Sequence, residues 1–308
     1  MYDTVKMRYH HPDRRLVISR LPDAQILRWK GSPQELVLGK LGSLRVIVRP
    51  ERVDVSGSFA RYHRGSNLET LTKSEMREVL DAISDALKVP LARAKVHAVH
   101  VARNIILSRP VGEYFRCLGN PRRHKVHTYG EESIQFTLGW RAMALYDKIA
   151  EMRSRRELVP DHYIGTNVLR YELRFLNRLP RQLRVKEVLA SDLYDEAVYN
   201  LLIDRWVSSY SSIQKIPAVV NVISFKPVKQ LVAAYALCGI SARGGGRKCM
   251  NEIEVERFSG RLTDVQASRA RRKIRELEQS LLLTQQSGVI EELDLKIHAE
   301  ADRARESG

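Results

Sequence analysis

The amino-acid sequence predicts an α+β fold, in which a central, largely antiparallel sheet carries helices on one face and a functional site on the other. Short runs of alternating apolar and polar residues, bounded by glycine and proline, predict strands through much of the first 175 residues. Longer segments with apolar residues at helical spacing predict helices between these strands and a small helical region at the C-terminal end. Such a mixture of strand runs and helices is typical of α+β domains.

The N-terminal part is predicted to be rich in β-structure. The first 65 residues are expected to form strands and turns, because alternating runs at 44–48 and 53–55 are separated by breakers, namely Gly42, Pro50, Gly57 and Gly65. The first predicted helix follows, since Thr72 and Glu75 have the spacing of a capping box and apolar residues then recur at helical spacing through residue 87.

The remaining elements follow from the same patterns. Strands are predicted at residues 96–106, 133–138, 141–148 and 168–175, with a polar loop at 121–130. Helices are predicted at residues 192–209 (with Ser191 as cap), 231–237, 250–258 and 263–283, and the last 15 residues are expected to form a frayed tail. A change of composition at Pro217 predicts a boundary between a domain at 1–215 and a smaller helical, basic domain at 216–308.

The charge balance points to a polyanionic partner. The 308 residues include 52 Lys and Arg against 36 Asp and Glu, which gives a formal net charge of +16. Such a field attracts nucleic acid at long range, although a basic surface that binds nothing is the alternative. Composition does not distinguish DNA from RNA.

Other function classes are disfavoured. No apolar run approaches the ~18 residues of a membrane span, and the N-terminus lacks the apolar stretch of a secretory signal. We therefore expect a cytoplasmic protein without a membrane partner. Cys117, Cys238 and Cys249 are far apart and odd in number, so neither a disulfide framework nor a paired-cysteine zinc site is predicted.

Three predicted strands place reactive side chains on one face, because residues two apart on a strand share a face. Around Tyr146 this face also holds Ala142, Ala144 and Lys148. On the strand at 168–175 it holds Arg170, Glu172 and Arg174, and on the strand at 96–106 it holds His100 and Asn104.

These residue types suit phosphodiester transesterification. A phenol such as that of Tyr146 has an ordinary pKa near ~10 and needs a cation or metal to stabilise its anion, a role predicted for Lys148. Glu172 and His100 are predicted to hold a divalent ion that polarises the scissile phosphate. The alternatives are a structural tyrosine, a surface ladder of ion pairs around Glu172 and an ordinary histidine.

The sequence resembles a known family at three places. The segment from Ala144 to Glu151, Ala-Leu-Tyr-Asp-Lys-Ile-Ala-Glu, resembles the Tyr-Asp-Lys-x-x-Glu segment of phage and plasmid replication proteins of the gene II/X family. The segment from Leu169 to Arg174 resembles that family's following Arg-x-Glu strand, and the opening Tyr2 to Arg8 is similar to its first strand. The resemblance covers roughly residues 1–215.

The resemblance implies a site-specific nicking and closing enzyme that initiates rolling-circle DNA replication of a phage or plasmid. It implies that Tyr146 attacks the origin strand and stays joined to its 5′ phosphate, in a bacterial host whose helicase and polymerase extend the free 3′ hydroxyl. By analogy, it also implies a fold like that of the histidine-containing (HUH) endonucleases. The family generally has an acidic residue where this chain has His100, which leaves open whether the divalent ion is magnesium or manganese.

Basic residues in two further segments are candidate DNA contacts. Besides Arg170, we predict phosphate contacts by the polar-loop residues Arg122, Arg123 and Lys125, and by a basic stretch of the last predicted helix, namely Arg269, Arg271, Arg272, Lys273 and Arg275. Two rival functions remain: a non-enzymatic, sequence-specific DNA-binding protein on a disabled initiator fold, and an RNA-binding or ribosome-associated protein.

Overall fold

A ten-stranded antiparallel sheet organises the part of the chain that the computed structural model describes, which is residues 1–28, 35–215, 246–282 and 288–307 with a few positions between 232 and 243. The strands are β1 (Tyr2–His10), β2 (Gln25–Arg28), β3 (Glu35–Leu41), β4 (Leu44–Arg49), β5 (Arg52–Ser58), β6 (Lys95–Leu107), β7 (Lys125–Tyr129), β8 (Ser133–Leu138), β9 (Arg141–Asp147) and β10 (Asn167–Phe175). Their order across the sheet is β2-β3-β4-β5-β1-β6-β10-β9-β8-β7.

Ten α-helices accompany the sheet in the described ranges. They are α1 (Arg14–Ser19), α2 (Phe59–Arg64), α3 (Lys73–Leu87), α4 (Val111–Phe115), α5 (Lys148–Ser154), α6 (Leu179–Leu183), α7 (Glu196–Ser211), α8 (Gly246–Phe258), α9 (Asp264–Leu282) and α10 (Gly288–Glu306). Short 3-10 helices lie at Leu91–Arg93, Asp161–Tyr163 and Ala190–Tyr194. The predicted α+β class with a central antiparallel sheet is confirmed. None of the described helices is long and apolar enough to cross a membrane.

Apolar and polar residues alternate along β10, and the helices cover the apolar face. Its apolar residues, among them Tyr171 and Phe175, are fully buried. Tyr171 packs on Trp206 of α7 with ring centroids 4.8 Å apart, and its hydroxyl donates to the Trp206 carbonyl at 3.0 Å. The Trp206 indole returns the contact by donating to the Tyr171 carbonyl at 3.3 Å. This reciprocal pair fixes α7 to the sheet and leaves the opposite side of β10 to its polar residues.

The capping motif of the first predicted helix is present. Thr72 Oγ1 accepts a hydrogen bond from the Glu75 amide at 3.3 Å, and the Glu75 carboxylate accepts one from the Thr72 amide at 2.8 Å. The two bonds satisfy backbone groups that the first turn of α3 leaves free. The helix ends at Leu87, where Lys88 adopts a left-handed conformation with φ of 55°.

Three local predictions are wrong because side chains cap helices at positions that the apolar pattern does not mark. The first 65 residues contain α1 and α2 as well as strands, since Asp13 and Ser58 each accept a hydrogen bond from an amide three residues ahead. The helix predicted at 192–209 is interrupted: a 3-10 helix occupies Ala190–Tyr194, and Asp195 caps α7 in place of Ser191.

The end of β9 matters most for the site. Asp147 Oδ1 accepts hydrogen bonds from the amides of Ile149 and Ala150, both at 2.9 Å, which starts α5 directly after the strand. Lys148 is therefore the first residue of a helix and not the last residue of a strand. In the predicted polar loop, Lys125 likewise begins β7, which pairs with β8.

The predicted frayed tail is also wrong, because α10 is part of the core. Ile290, Leu293, Ile297 and Ala301 are buried and recur at helical spacing, which is the pattern of a helix and not of a frayed tail. The helix packs against β6, α4 and α7, all of which belong to residues 1–215. The predicted boundary at Pro217 lies outside the described residues, and the division into two domains stays a prediction. Of the helix predicted at 231–237, the described positions are Val232, Ala233, Tyr235 and Ala236, and all four are helical.

Glu292 fastens α10 to the end of β6. Its carboxylate accepts hydrogen bonds from the Ser108 amide at 2.8 Å, from the Ser108 hydroxyl and from the Tyr114 hydroxyl. Lys296 Nζ pairs with the same carboxylate at 2.6 Å and also donates to the Ile106 carbonyl. Burial alone would raise the pKa of Glu292, but these donors outweigh it and lower the pKa to about 2.

We therefore expect Glu292→Gln to lower the free energy of unfolding by roughly 1–3 kcal/mol at neutral pH, as for the loss of hydrogen bonds to a charged group. Because the folded-state pKa is depressed, this contribution is complete above the unfolded value near ~4.5 and is lost as pH falls toward 2. Urea denaturation at several pH values measures the difference, with the exposed neighbour Glu291→Gln as control. A difference that persists unchanged at low pH would contradict the assignment.

Candidate functional site

The polar residues of β9, β10 and β6 form rows across one face of the sheet, as the alternation predicts. Tyr146, Arg170 and Asn104 are register partners on three neighbouring strands. In the next two rows, Glu172 lies between Ala144 and Ala102, and Arg174 lies between Ala142 and His100. The predicted residues of these three strands therefore meet on the face opposite Tyr171 and α7.

Tyr146 and Glu172 form the shortest contact among the proposed reacting groups. The phenol of Tyr146 is half-buried, and its hydroxyl donates to Glu172 Oε1 at 2.6 Å. Burial and the nearby carboxylate raise the pKa of Tyr146 well above its ordinary value. The phenol is therefore neutral at pH 7, and any attack by its oxygen requires a proton acceptor, for which Glu172 is already in position.

Glu172 lies between two guanidinium groups. Arg170 Nε donates to Oε1 at 3.0 Å, and Arg174 Nε donates to Oε2 at 2.7 Å. Burial alone would raise the pKa of Glu172, but the charges of Arg170 and Arg174 outweigh it and hold the pKa well below its ordinary value. The carboxylate is therefore ionised throughout the physiological range.

Arg170 is a buried structural centre and not an exposed DNA contact, which corrects that prediction. Its side chain is completely buried and binds four groups: besides Glu172, it donates to Asp3 Oδ2 at 2.9 Å, Asn104 Oδ1 at 3.1 Å and the Leu68 carbonyl at 3.2 Å. These bonds join β1, β6 and β10 to the loop before α3. Two carboxylates and a carbonyl satisfy the charge, so no phosphate is needed to do so.

Asp3 is the residue of this centre that sequence reasoning missed. It is almost fully buried, and its second oxygen accepts a hydrogen bond from the Ser58 hydroxyl at 2.6 Å. The available signal was an acidic residue within an otherwise apolar start of β1, between Tyr2 and Val5. A carboxylate at such a position requires a buried cation as partner.

Lys148 does not continue the strand as the alternation predicted, because it is the first residue of α5. Its Nζ is fully buried and donates to Glu151 Oε2 at 2.7 Å and to Asn67 Oδ1 at 3.1 Å. Burial lowers the pKa of Lys148, with the charge of Arg170 acting in the same direction. The lysine thus ties α5 to the loop that covers Arg170, and its catalytic role stays a prediction.

The predicted metal ligands do not fit a divalent ion in this arrangement. Both oxygens of Glu172 are saturated, because Oε1 accepts from Tyr146 and Arg170 while Oε2 accepts from two nitrogens of Arg174. Within the described ranges, no group of three His, Cys, Asp or Glu is arranged to hold a metal. A cation at this carboxylate would first require Arg174 to leave, and the divalent-metal hypothesis stays untested.

His100 is the predicted ligand with a free nitrogen. Its Nε2 is buried and has no hydrogen-bond partner among the described residues. Burial lowers the pKa of His100 to about 4, so the imidazole is neutral at pH 7. It lies beside Arg174 in the register of the sheet.

The predicted DNA contacts outside the site differ in whether they already form ion pairs within the protein. Arg122, Arg123 and Lys125 are exposed and form no ion pair with a described residue. On α9, three basic residues already pair with carboxylates: Arg271 with Glu254, and Arg272 and Lys273 with Glu276. Arg269 and Arg275 are exposed on the same helix. The DNA roles of these residues stay predictions.

Removal of the Arg170 guanidinium tests the structural centre. We expect Arg170→Met to lower the free energy of unfolding by about 3–5 kcal/mol, because Asp3 and Glu172 would remain as buried charges without their shared partner. Arg174→Met is the matched control, since the Arg174 side chain is 28% exposed and water can replace it. Equal losses in the two variants, measured by urea denaturation, would refute the central role of Arg170.

Comparison with known proteins adds little to this geometry. No protein-family model matches the sequence, and no curated protein does. Among solved structures, the chain is similar to the rolling circle replication initiator protein from Geobacillus stearothermophilus, with 11% sequence identity, a TM-score of 0.38, and coverage of 75% of this chain and 90% of that chain. A similarity of this size assigns no function, so we infer the function from the residues of the site.

Proposed function

We propose that this protein cuts one strand of DNA at a specific site and rejoins it through a covalent link to Tyr146, and thereby initiates rolling-circle replication of a phage or plasmid. The observation that carries the proposal is the 2.6 Å hydrogen bond from the Tyr146 hydroxyl to Glu172, formed on a sheet face that carries the cation Arg174. The resemblance of the surrounding segments to replication proteins of the gene II/X family supports the choice of substrate.

In the proposed reaction, Tyr146 Oη attacks the phosphorus of the scissile phosphodiester while its proton passes to Glu172 Oε1. A phenolic oxygen–phosphorus bond forms, and the bond from phosphorus to the 3′ oxygen breaks. The 3′ oxygen leaves with a proton from water on the open face and becomes the primer end. The reverse reaction, with a 3′ hydroxyl as nucleophile, rejoins the strand because the phosphotyrosine retains the energy of the broken bond.

Arg174 couples substrate binding to proton transfer. It is the partly exposed one of the two guanidinium groups on Glu172, whereas Arg170 is fully buried, so it is the one that a phosphate reaches. When Arg174 turns to the phosphate, it stabilises the charge that develops there. It also stops holding the pKa of Glu172 low, and the carboxylate becomes a stronger base as the substrate arrives. Apart from the water that protonates the 3′ oxygen, these steps use only side chains of this chain.

In this proposal the protein acts on origin DNA in the cytoplasm of a bacterial host, and host helicase and polymerase follow it. A divalent ion, Mg²⁺ or Mn²⁺, is expected from the family resemblance, and Glu172 could hold it together with His100 only after Arg174 has left the carboxylate. Nicking with and without EDTA, measured on wild-type protein and on Arg174→Gln, tests that expectation apart from the tyrosine chemistry.

A second candidate function is DNA binding without cleavage, on a fold whose site is structural. Two contacts favour it: the Tyr146 hydroxyl and the Lys148 ammonium are both occupied by carboxylates, as in a residue network that only stabilises the fold. The two candidates differ in whether DNA becomes covalently attached to the protein.

Covalent capture distinguishes the candidates. We expect wild-type protein, incubated with supercoiled DNA of its own replicon, to form nicked circles and an adduct that survives denaturation and maps to Tyr146 by mass spectrometry. Tyr146→Phe should abolish adduct and nicking, a loss of at least 10³-fold, while DNA affinity stays within about twofold. Tyr129→Phe, an exposed tyrosine on β7, is the matched control and should keep full activity. Tight binding without any adduct from wild-type protein would favour the second candidate.

The coupling by Arg174 predicts a shift in the pH profile. Proton transfer requires ionised Glu172, so the acid limb of the nicking rate follows the pKa of that carboxylate. Arg174→Gln removes a cation that lowers this pKa, and we expect the acid limb to move to higher pH and the maximal rate to fall by 10- to 100-fold. Nicking at subsaturating DNA between pH 3 and 9 measures both effects, because this profile reports the free protein, in which Arg174 still contacts Glu172. An unchanged acid limb would show that Glu172 is not the proton acceptor.

A further inference from the structure

A row of cations continues from the site across the outer half of the sheet. In the register of the strands, Lys6 of β1 faces Ser56 of β5, Ser56 faces Arg45 of β4, and Arg45 faces Lys40 of β3. On its other side Lys6 faces Ala98 of β6, two residues before His100, which faces Arg174. We call Lys6, Arg45 and Lys40 the outer cation row.

The three charges of the outer cation row are free. Each side chain is exposed, and none forms an ion pair or side-chain hydrogen bond with any residue in the described ranges. Beside the row, Arg8, Arg49 and Arg52 all converge on one carboxylate, Asp54, at 2.6, 3.4 and 3.4 Å. One acidic group for three arginines leaves a further excess of positive charge on the same face.

The side chains between these cations are small. Ser56 and Ala98 lie between the cations of the row, and Ala102 and Ala142 flank Glu172 and Arg174. Small side chains let a polymer backbone approach the sheet. From β10 to β3 the row crosses five strand spacings, roughly 24 Å, which a stacked nucleic-acid strand with phosphates ~3.4 Å apart passes with about seven phosphates.

A cavity lies at the end of the row that is farthest from Arg174. A cavity of about 300 Å³ is lined there by Lys40 and Arg45 together with Gln25, Leu38 and Asp23. This volume is large enough for one base, and the lining is both apolar and polar.

We propose that single-stranded DNA, continuous with the strand that reaches Tyr146, lies along the outer cation row from Arg174 to Lys40. Among the described residues, Lys6, Arg45 and Lys40 form a single line of unpaired cations that leads to Arg174, because the neighbouring Arg8, Arg49 and Arg52 share Asp54 as their partner. A single line matches one backbone and not the two of a duplex. The proposal rests on the proposed function only in taking DNA as the polymer. It adds a binding surface on β1, β4 and β3, where the sequence had indicated none.

Salt-dependent binding tests the row. All proteins carry Tyr146→Phe, so that binding is measured without cleavage, by fluorescence anisotropy with a labelled 16-nucleotide dT strand from 50 to 300 mM KCl. We expect Lys6→Gln, Lys40→Gln and Arg45→Gln combined to weaken binding 10- to 100-fold at 100 mM salt. The slope of log K against log salt should become shallower by about 2, since each phosphate contact on a single strand contributes ~0.7.

A matched control removes the same charge elsewhere. Arg93, Arg181 and Lys186 are exposed, have no ion pair among the described residues, and belong to segments whose apolar residues pack in the helix-covered core. Their combined change to Gln should leave the slope within about 0.5. The thermal melting temperature of both triple variants should stay within 2 °C of the parent, because none of the six side chains forms an ion pair with a described residue.

Four results would overturn the proposal that single-stranded DNA lies along the row. An unchanged slope would mean that these cations make no phosphate contact, and an equal loss in the control variant would mean that they act only through net charge. A loss confined to a 16-base-pair duplex would make the surface a duplex contact, and tighter row-dependent binding of the matching RNA strand would make the polymer RNA. If wild-type protein forms no Tyr146 adduct but the row variant still loses dT affinity, the nicking proposal fails and the row stands.

Discussion

The buried guanidinium of Arg170 is the interaction on which the site depends. It lies among Asp3, Glu172, Asn104 and the Leu68 carbonyl, and so joins three strands and a loop through one planar cation. A buried charge is tolerated only when its donors are matched, and here Nε and both terminal nitrogens have acceptors. Glu172 is thereby held in one orientation, and its Oε1 is aimed at the phenol of Tyr146.

The same interaction sets a chemical compromise. Two arginines keep Glu172 ionised and fixed, but they also weaken it as a base. Tyr146 is in turn a weak acid, because burial and the neighbouring carboxylate raise its pKa. Without substrate such a site is unreactive, because the raised pKa of Tyr146 and the lowered pKa of Glu172 keep the proton on the phenol. A phosphate that draws Arg174 away shifts the proton equilibrium between Tyr146 and Glu172. The resting state and the reacting state then differ by the movement of one side chain.

Strand alternation was enough to predict which residues of β9, β10 and β6 share a face, because a period of two is fixed by the pleat. It was not enough for Lys148, since the Asp147 carboxylate captures two amides and turns strand into helix within one residue. The burial of Arg170 could not be predicted either, because its partner Asp3 lies 167 positions away along the chain. The helical spacing of α10 was visible in the sequence, whereas its docking on β6 depends on tertiary contacts.

The order of the strands has a consequence for how the chain acquires its structure. β1 lies between β5 and β6, so Tyr2 finds its neighbour at Val101, and β10 inserts between β6 and β9. Pairings between such distant segments form only after long loops have closed, and that makes folding slow and leaves strand edges open in the meantime. The local hairpins β3-β4 and β7-β8 form without such closure. The centre of the sheet, which carries the tyrosine and its partners, is therefore the part that we expect to assemble last and to benefit most from chaperones during synthesis.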